Sequence, residues 1–251
     1  MMKTVKIQSL NKHFNGIRAL DDFSCEFRQS EILGLIGPNG AGKTTLFNVL
    51  TGYLSSDSGR IYFHEKRIDK KAPHAIRHKG IARTFQQLRL VRQMTLLENV
   101  MLAFQHQPGT RLGPLFFQPR TCRQYESQIR EKARAFLSTY GLADKEQHAA
   151  GALSYGQQKL LSLICCLVDD PEVILLDEPV AGINPAMIEQ ILEILKEQVR
   201  RNKTLVMIEH NMDVISDLCD RVVFMDMGRL VSEGTPDEVK NDPKVIEAYL
   251  D

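Results

Sequence analysis

Residues 32–45 read ILGLIGPNGAGKTT. Apart from one glycine, the segment from Ile32 to Ile36 is apolar, which predicts a strand buried on both faces of a sheet. Behind this strand, the spacing Gly-x-x-x-x-Gly-Lys-Thr begins at Gly37. Glycines let the backbone wrap closely, so that several amide N–H groups point inward at phosphate oxygens. The stretch therefore predicts a phosphate-binding loop, followed by a helix over residues 44–50.

Each part of this loop has an expected role. Lys43 should reach the β- and γ-phosphates of a nucleoside triphosphate such as ATP, and the Thr44 hydroxyl should bind Mg²⁺. The helix that begins near Lys43 points the positive end of its dipole at the phosphates, which favours their binding. A dinucleotide-binding loop is excluded because the Lys-Thr pair has no role there, and the correct flanks disfavour a chance glycine-rich turn. The residues expected to bind the nucleotide are Gly37, Pro38, Asn39, Gly40, Ala41, Gly42, Lys43, Thr44 and Thr45.

A second informative stretch, residues 172–178, reads EVILLDE. Asp177 ends a strongly apolar strand, which places an acid at the carboxyl edge of a parallel sheet, beside the phosphate loop. Mg²⁺ needs hard oxygen ligands, and Asp177 suits that role directly or through a water. Glu178 faces another direction and suits a base that orients or deprotonates an attacking water. The alternative, a surface turn before Pro179, is disfavoured by the phosphate loop.

The rest of the chain indicates an α/β protein. The first part is rich in strand patterns and has a turn signal at Asn15-Gly16, whereas the middle has helical patterns only, at residues 96–101 and 125–140. A βαβ unit and a late hairpin around Met227-Gly228 follow. We predict one domain over residues 1–251. Its mostly parallel core with an N-terminal antiparallel β subdomain spans about 1–87 and 168–251, and its inserted helical lobe spans about 88–167.

Composition limits the class of function. The net charge is +1, with 43% hydrophobic and 25% charged residues, which is ordinary for a globular protein and argues against an electrostatic nucleic-acid binder. The longest mostly apolar run, Leu160–Val168, is too short to span a bilayer, and Met1–Leu10 lacks the pattern of a secretory signal. The five cysteines form no CxxC pair, which favours free thiols in a reducing cytoplasm over a metal site.

The segment Leu153-Ser154-Tyr155-Gly156-Gln157 adds a family resemblance. With the loop and the carboxylates, it resembles the ATP-binding subunit of ABC transporters, whose signature is Leu-Ser-Gly-Gly-Gln, over essentially the whole chain. The resemblance implies that Ser154, Tyr155, Gly156 and Gln157 begin a helix that contacts the γ-phosphate of nucleotide bound by another subunit. The chain has one phosphate loop and one signature, so the resemblance implies a head-to-tail dimer.

Other positions match the same family in order. By resemblance, Gln86 is the loop glutamine that touches Mg²⁺ or water and senses the membrane partner, and His210 is the switch histidine at the γ-phosphate. Phe14 either stacks on adenine, where the family often has Tyr, or packs in the core. The loop that contacts the dimer partner is matched by Ala181, Gly182 and Asn184, with Asn184 where Asp is frequent.

A narrower resemblance is to the ATPases of branched-chain amino acid importers. It rests on motifs spread along the chain, namely Arg83–Gln86, Met94-Thr95, Glu98–Val100, the Gly-Pro-rich insertion at 108–120, Ala181–Pro185, Glu209–Met212 and Ala248–Asp251. It implies ATP and Mg²⁺ as cofactors. Implied partners are a second ATP-binding subunit, identical or related, transmembrane permeases and, indirectly, a substrate-binding protein. The implied location is the cytoplasmic face of the inner membrane, and no nucleic acid is expected.

Several alternatives stay open at this stage. Relatives that handle urea or short amides share much of the pattern, and lipid or lipopolysaccharide exporters have similar length. An ABC ATPase of repair, translation or cluster assembly is disfavoured, because the chain has one ATPase unit and a short insertion. Phe116 and Phe117 either contact the permease or pack inside the lobe. The segment Leu163–Cys166 lacks the arginine that the family usually carries there, which should alter a local ion-pair network.

Overall fold

The computed structural model describes residues 3–105 and 119–250. These residues divide into two units. The core unit comprises the described parts of 1–86, 171–181 and 185–251, and the helical unit those of 87–170 and 182–184. Phe116, Phe117 and the predicted insertion up to residue 118 lie outside the described residues.

The described strands are, in chain order, β1 (Lys3–Phe14), β2 (Ile17–Arg28), β3 (Ile32–Ile36), β4 (Ser58–Phe63), β5 (Lys66–Arg67), β6 (Ile81–Arg83), β7 (Val173–Asp177), β8 (Thr204–Ile208), β9 (Arg221–Asp226) and β10 (Arg229–Gly234). The described helices are α1 (Lys43–Leu50), α2 (Pro73–Arg77), α3 (Leu96–Ala103), α4 (Pro119–Thr139), α5 (Tyr155–Leu167), α6 (Pro185–Arg200), α7 (Met212–Leu218), α8 (Pro236–Lys240) and α9 (Pro243–Leu250). Short 3₁₀ turns lie at Ala143–Lys145 and Ala150–Ala152.

The main sheet of the core unit has the strand order β10-β9-β3-β8-β7-β6, and all neighbours are parallel except β10 and β9. Every residue of β3, β7 and β8 is buried, as the apolar runs predicted. Because parallel strands end at the same edge of a sheet, the residues that follow β3, β7 and β8 lie near one another. This edge carries the phosphate loop, the two carboxylates and His210.

The second sheet of the core unit is antiparallel, with the order β2-β1-β4-β5. Its long hairpin turns at Asn15 and Gly16, which both have positive φ (45° and 89°), as a tight two-residue turn requires. The predicted turn is confirmed. The alternating pattern of the sequence is clear only at residues 5–10 and 23–27, but β1 and β2 are longer, because register shifts let them stay paired past each interruption of the pattern.

All five cysteines are free, as the odd number and spacing predicted. Burial raises the pKa of Cys25 and of Cys219 to about 12. Both thiols therefore stay protonated near neutral pH, which makes them poor nucleophiles and poor metal ligands. They act as small apolar side chains in the core.

Within residues 3–105 and 119–250, no helix combines the length and the apolar composition needed to cross a bilayer.

The helical unit is organised around the start of α3. Thr95 caps this helix, and Glu98 completes a capping box by accepting a hydrogen bond from the Thr95 backbone N–H. The next residue, Asn99, is buried, and its side chain forms hydrogen bonds with the loop before the helix, residues 91–95. Its Oδ1 accepts the Val91 N–H at 2.8 Å, and its Nδ2 donates to carbonyls of Val91, Met94 and Thr95. The Glu-Asn pair therefore fixes residues 91–95.

Replacing Asn99 with Ala is expected to lower the free energy of unfolding of the helical unit by about 2–4 kcal/mol, because four part-buried hydrogen bonds to the backbone of residues 91–95 are lost. Urea denaturation followed by circular dichroism measures this. Asn241→Ala is the control, since that exposed side chain donates one hydrogen bond, to Asp237 O in the first turn of α8. Equal destabilisation by the two substitutions would contradict the role given to Asn99.

Candidate nucleotide-binding and catalytic site

The phosphate loop joins β3 to α1 through closely packed backbone. Gly37 has φ 144°, and a Cβ there would lie 2.0 Å from Met225 O of β9. Gly42 has φ 101°, and a Cβ there would lie 2.2 Å from Ala19 O of β2. Both positions therefore require glycine. Gly42 is also the N-cap of α1 and offers no side-chain cap, so the first N–H groups of this helix remain available to an anion.

Lys43 folds back over the loop. Its Nζ donates to Gly37 O at 2.7 Å and to Pro38 O at 2.8 Å. Burial lowers the pKa of the Lys43 ammonium, and the nearby Glu178 and Asp177 carboxylates oppose that shift. The partly desolvated ammonium thus lies among backbone carbonyls at the centre of the loop, where a phosphate would relieve its loss of solvation.

A cavity of about 280 Å³ opens over this loop, within the core unit. It is lined by Ile17, Ala19, Asn39, Gly40, Ala41, Gly42, Lys43, Thr44, Thr45, Gln86, Glu178, Ile208 and His210. The structure therefore brings together most of the residues predicted to bind the nucleotide phosphates and all three predicted catalytic side chains. They come from four separate segments of the chain.

Two polar side chains meet Glu178 at the edge of the cavity. Gln86 Nε2 donates to Glu178 Oε1 at 3.3 Å, and His210 Nε2 lies 3.6 Å from the same oxygen. The Glu178 backbone has φ 50°, an uncommon value for a residue with a side chain, and its N–H donates to Ile208 O at the end of β8. Backbone strain of this kind is concentrated at functional sites. The arrangement presents a carboxylate, an amide and an imidazole to one space beside the phosphate loop.

Asp177, the last residue of β7, is held differently. Its side chain is buried, and it is not among the residues that line the cavity. Its Oδ2 accepts a hydrogen bond from the Arg83 guanidinium at 2.8 Å, and its backbone N–H donates to Thr84 Oγ1. The sequence motif contained Arg83 but gave no sign of this pairing, which joins residues of β6 and β7.

The predicted signature begins α5 in the helical unit. Ser154 is the N-cap, and its hydroxyl accepts the Gln157 N–H while Gln157 Oε1 accepts the Ser154 N–H. The helix start predicted here is confirmed. Tyr155 is half exposed and its ring lies 5.4 Å from Lys159 Nζ. A Cβ at Gly182 would lie 3.5 Å from the same ring, which places the Gly182–Asn184 segment beside the signature.

The remaining predicted positions lie as follows. Gly156 is buried in the first turn of α5. Ala181, in the core unit, donates its N–H to Glu178 O at 3.4 Å. Phe14 ends β1 with a partly exposed ring, 5.4 Å from Lys12 Nζ, and does not line the cavity. Ile17, which sequence reasoning missed, lines the cavity instead, so the stacking role of Phe14 stays a prediction.

Comparison with known proteins decides the family. A family model described as ABC transporter matches residues 20–181. The chain belongs to the ABC transporter family. A second model, described as branched-chain amino acid ATP-binding cassette transporter, matches residues 229–250. The predicted family, the ATPase class and the α/β fold are thereby confirmed.

Relatives match this ABC ATPase over almost their whole length. The high-affinity branched-chain amino acid transport ATP-binding protein LivG of Salmonella typhimurium is 37% identical over 97% of this chain and 96% of its own. BraF of Pseudomonas aeruginosa, which carries the same description, is 33% identical over 98% and 97%. The probable branched-chain amino acid transport ATP-binding protein LivG of Methanocaldococcus jannaschii is 35% identical over 99% and 98%.

Solved structures agree with the fold of this ABC ATPase. A nucleotide-free ATP-binding cassette from an ABC transporter has a TM-score of 0.84 at 34% identity, covering 99% of both chains. The ADP conformation of an ATP-binding cassette has a TM-score of 0.84 at 33% identity, covering 100% of this chain and 99% of the other. The resemblance in fold therefore extends over the whole ATPase.

The site of this ABC ATPase suits Mg²⁺. Among the residues that line the cavity, the Thr44 hydroxyl, the Gln86 amide and the Glu178 carboxylate offer hard oxygen donors, which Mg²⁺ prefers. The carboxylate of Asp177, the residue before Glu178, is a donor of the same kind. Among residues 3–105 and 119–250, no group of three or more His, Cys, Asp and Glu side chains is placed to hold a metal by itself. Mg²⁺ sites commonly have few protein ligands and rely on phosphates and waters.

Glu209 of the ABC ATPase is a further residue that sequence reasoning missed. Its buried carboxylate accepts the Val180 N–H at 3.0 Å through Oε1 and the His210 N–H at 3.2 Å through Oε2. It thus links the segment after Glu178 to His210, two residues past the end of β8. An acid next to the predicted histidine was visible in the sequence, but its partner lies 29 residues away.

Proposed function

We propose that this chain is the ATP-hydrolysing subunit of an importer for branched-chain amino acids. The convergence of Gln86 and His210 on Glu178, beside the phosphate loop, supports the hydrolytic part. The match of residues 229–250 to a branched-chain amino acid cassette model supports the cargo, as do the names of the full-length relatives. Urea, amides, lipids and lipopolysaccharide are less well supported as cargo.

In the proposed reaction, the loop amides and the Lys43 ammonium bind the phosphates of ATP and hold the γ-phosphate towards Glu178. Glu178 accepts a hydrogen bond or a proton from the attacking water, and Gln86 and His210 keep its carboxylate in place. The His210 imidazole is placed to donate to a γ-phosphate oxygen. When bound, Mg²⁺ neutralises charge on the phosphate oxygens, and Thr44, Gln86 and Asp177 are the residues expected to hold it.

The site proposed here requires two chains. Each copy carries one phosphate loop and one signature, and the signature opens a helix with an exposed Ser154 hydroxyl, which suits an anion. We propose that Ser154, Tyr155, Gly156 and Gln157 contact the γ-phosphate of nucleotide bound by a second, identical or related subunit. Ala181, Gly182 and Asn184 are then dimer contacts. ATP closes this dimer and hydrolysis opens it.

The proposed membrane partner is a pair of permease subunits, contacted by the helical unit near residues 86–99. The chain then works as a peripheral subunit at the cytoplasmic face of the membrane. A substrate-binding protein takes part indirectly, because it delivers cargo to the permease. Gln86 is the last residue of the core unit before the chain continues into the helical unit, which supports this coupling role for Gln86.

Uptake of radiolabelled leucine, isoleucine and valine tests the cargo. Cells that make the chain with its own permease are compared with cells in which the gene encodes Glu178→Gln. We expect uptake of the three amino acids to fall at least tenfold, while urea uptake is unchanged. Loss of urea uptake alone would assign a different cargo, and unchanged uptake of all solutes despite lost ATPase activity would indicate a function outside transport.

A further inference from the structure

Arg83 connects three parts of the nucleotide site. Its side chain and that of Asp177 are both almost fully buried, 4% and 3% exposed, and their charged atoms lie 2.8 Å apart. A second guanidinium nitrogen, NH1, donates to Asn48 Oδ1 at 2.6 Å. Asn48 lies in α1, the helix that the phosphate loop begins. Arg83 itself ends β6, three residues before Gln86.

The faces of the guanidinium are also occupied. Its central carbon lies 5.3 Å from the centre of the Phe47 ring and 4.9 Å from that of the Phe85 ring. The Phe85 ring in turn meets the Tyr53 ring edge-on. A planar guanidinium held by rings on its faces and by acceptors at its edge has little freedom to rotate. Asp177 is therefore paired with a rigid partner.

This pairing fixes the orientation of the Asp177 carboxylate. Arg83 donates to Oδ2, so the carboxylate cannot turn without breaking a buried, charge-assisted hydrogen bond. Replacing a buried ion pair by apolar residues is often neutral or stabilising, so stability alone is a weak reason for this arrangement. Partners of metal ligands commonly orient the ligand, and their substitution typically costs about 10–100-fold in metal affinity.

We infer that Arg83 is a positioning residue that orients Asp177 for the metal bound with ATP. Through Phe85 and Asn48, it also joins that carboxylate to the segment carrying Gln86 and to the helix behind the phosphate loop. This inference rests on the proposed function, because it assumes that nucleotide binds in the cavity with Mg²⁺. If Arg83 only balanced the charge of Asp177, any cationic side chain at position 83 would have the same effect.

Arg83→Lys separates the two roles. A lysine keeps the positive charge, but its ammonium is a single point that cannot hold Asp177 and Asn48 in a fixed plane or lie flat between two rings. Equilibrium binding of ATP to the purified chain is measured twice, with EDTA and with Mg²⁺. The ratio of the two dissociation constants is the gain in affinity due to the metal.

We expect Arg83→Lys to leave binding in EDTA within about twofold of the unsubstituted chain and to reduce the metal-dependent gain roughly tenfold or more. Arg67→Lys is the matched control. Arg67 pairs with the buried carboxylate of Asp69 at 2.7 Å in the same unit, but Asp69 is not a predicted metal ligand. The control should keep the full gain.

The outcomes are distinct. A chain that binds no ATP in either condition would contradict the proposed function itself. A full metal-dependent gain in folded Arg83→Lys would overturn the positioning role. Circular dichroism checks folding, and if Arg83→Lys does not fold, Asn48→Ala decides. That variant removes one Arg83 contact and leaves the ion pair, so an unchanged gain there would also overturn the inference.

Discussion

Glu178→Gln is expected to lower the turnover of ATP by a factor on the order of 10² or more, while ATP binding persists. The amide has nearly the shape of the carboxylate, so the contacts with Gln86 and His210 are disturbed little. It cannot take a proton from water, which removes the base. Because ATP is then bound but not cleaved, the closed dimer should accumulate. Phosphate release measures turnover, and size-exclusion chromatography with ATP measures dimerisation.

Glu172→Gln is the matched control for this experiment. Glu172 directly precedes β7, at the opposite end from Glu178, and its carboxylate contacts His64 at 2.6 Å. The same chemical change there should leave turnover within about twofold. Wild-type-like turnover in Glu178→Gln would contradict the role of the base, and equal loss in both variants would point to a general effect on the fold.

Gly37→Ala is expected to destabilise the core unit by about 4 kcal/mol or more and to abolish ATP binding. The new Cβ would lie 2.0 Å from Met225 O, and neither the carbonyl nor the β3–β9 pairing can move far. The positive φ adds strain of about 1–3 kcal/mol for any residue with a side chain. Thermal unfolding and equilibrium binding of ATP measure the two effects.

Gly40→Ala, in the same loop, introduces the backbone strain without the clash, so the difference between the two variants measures the effect of the clash. Gly40 also has a positive φ, 85°, but a Cβ there meets nothing within 4 Å. We expect only the strain of about 1–3 kcal/mol at this position. If the two alanine variants unfold at the same temperature and bind ATP equally, the clash with Met225 is not what requires glycine at position 37.

Local features of this chain could be predicted from its sequence. The loop from Gly37 to Thr45 has its strand, turn and helix in one continuous stretch, and each step depends on residues only a few positions apart. The same holds for the hairpin that turns at Asn15-Gly16. Short-range hydrogen bonds and allowed φ values determine these features.

Contacts between segments far apart in the sequence could not be predicted from local patterns. The sequence shows Arg83 and Asp177 as two charges 94 positions apart, and only the pairing of β6 with β7 brings them together. Likewise, the position of Ile17 in the cavity, in place of Phe14, depends on the twist and register of the long β1–β2 hairpin. Glu178 followed from its place after an apolar strand, whereas Gln86 and His210 were assigned to the site only through family resemblance.

The position of β3 has a consequence for the growing chain on the ribosome. Its two neighbours in the sheet, β8 and β9, are made only after the entire segment 87–170. At a synthesis rate of about 5–20 residues per second, β3 remains without a paired strand for on the order of ten seconds. The helical unit, mostly continuous in sequence, can begin to fold during that delay. Apolar Ile32–Ile36 meanwhile stays unpaired, and chaperones are expected to bind the nascent polypeptide at this segment.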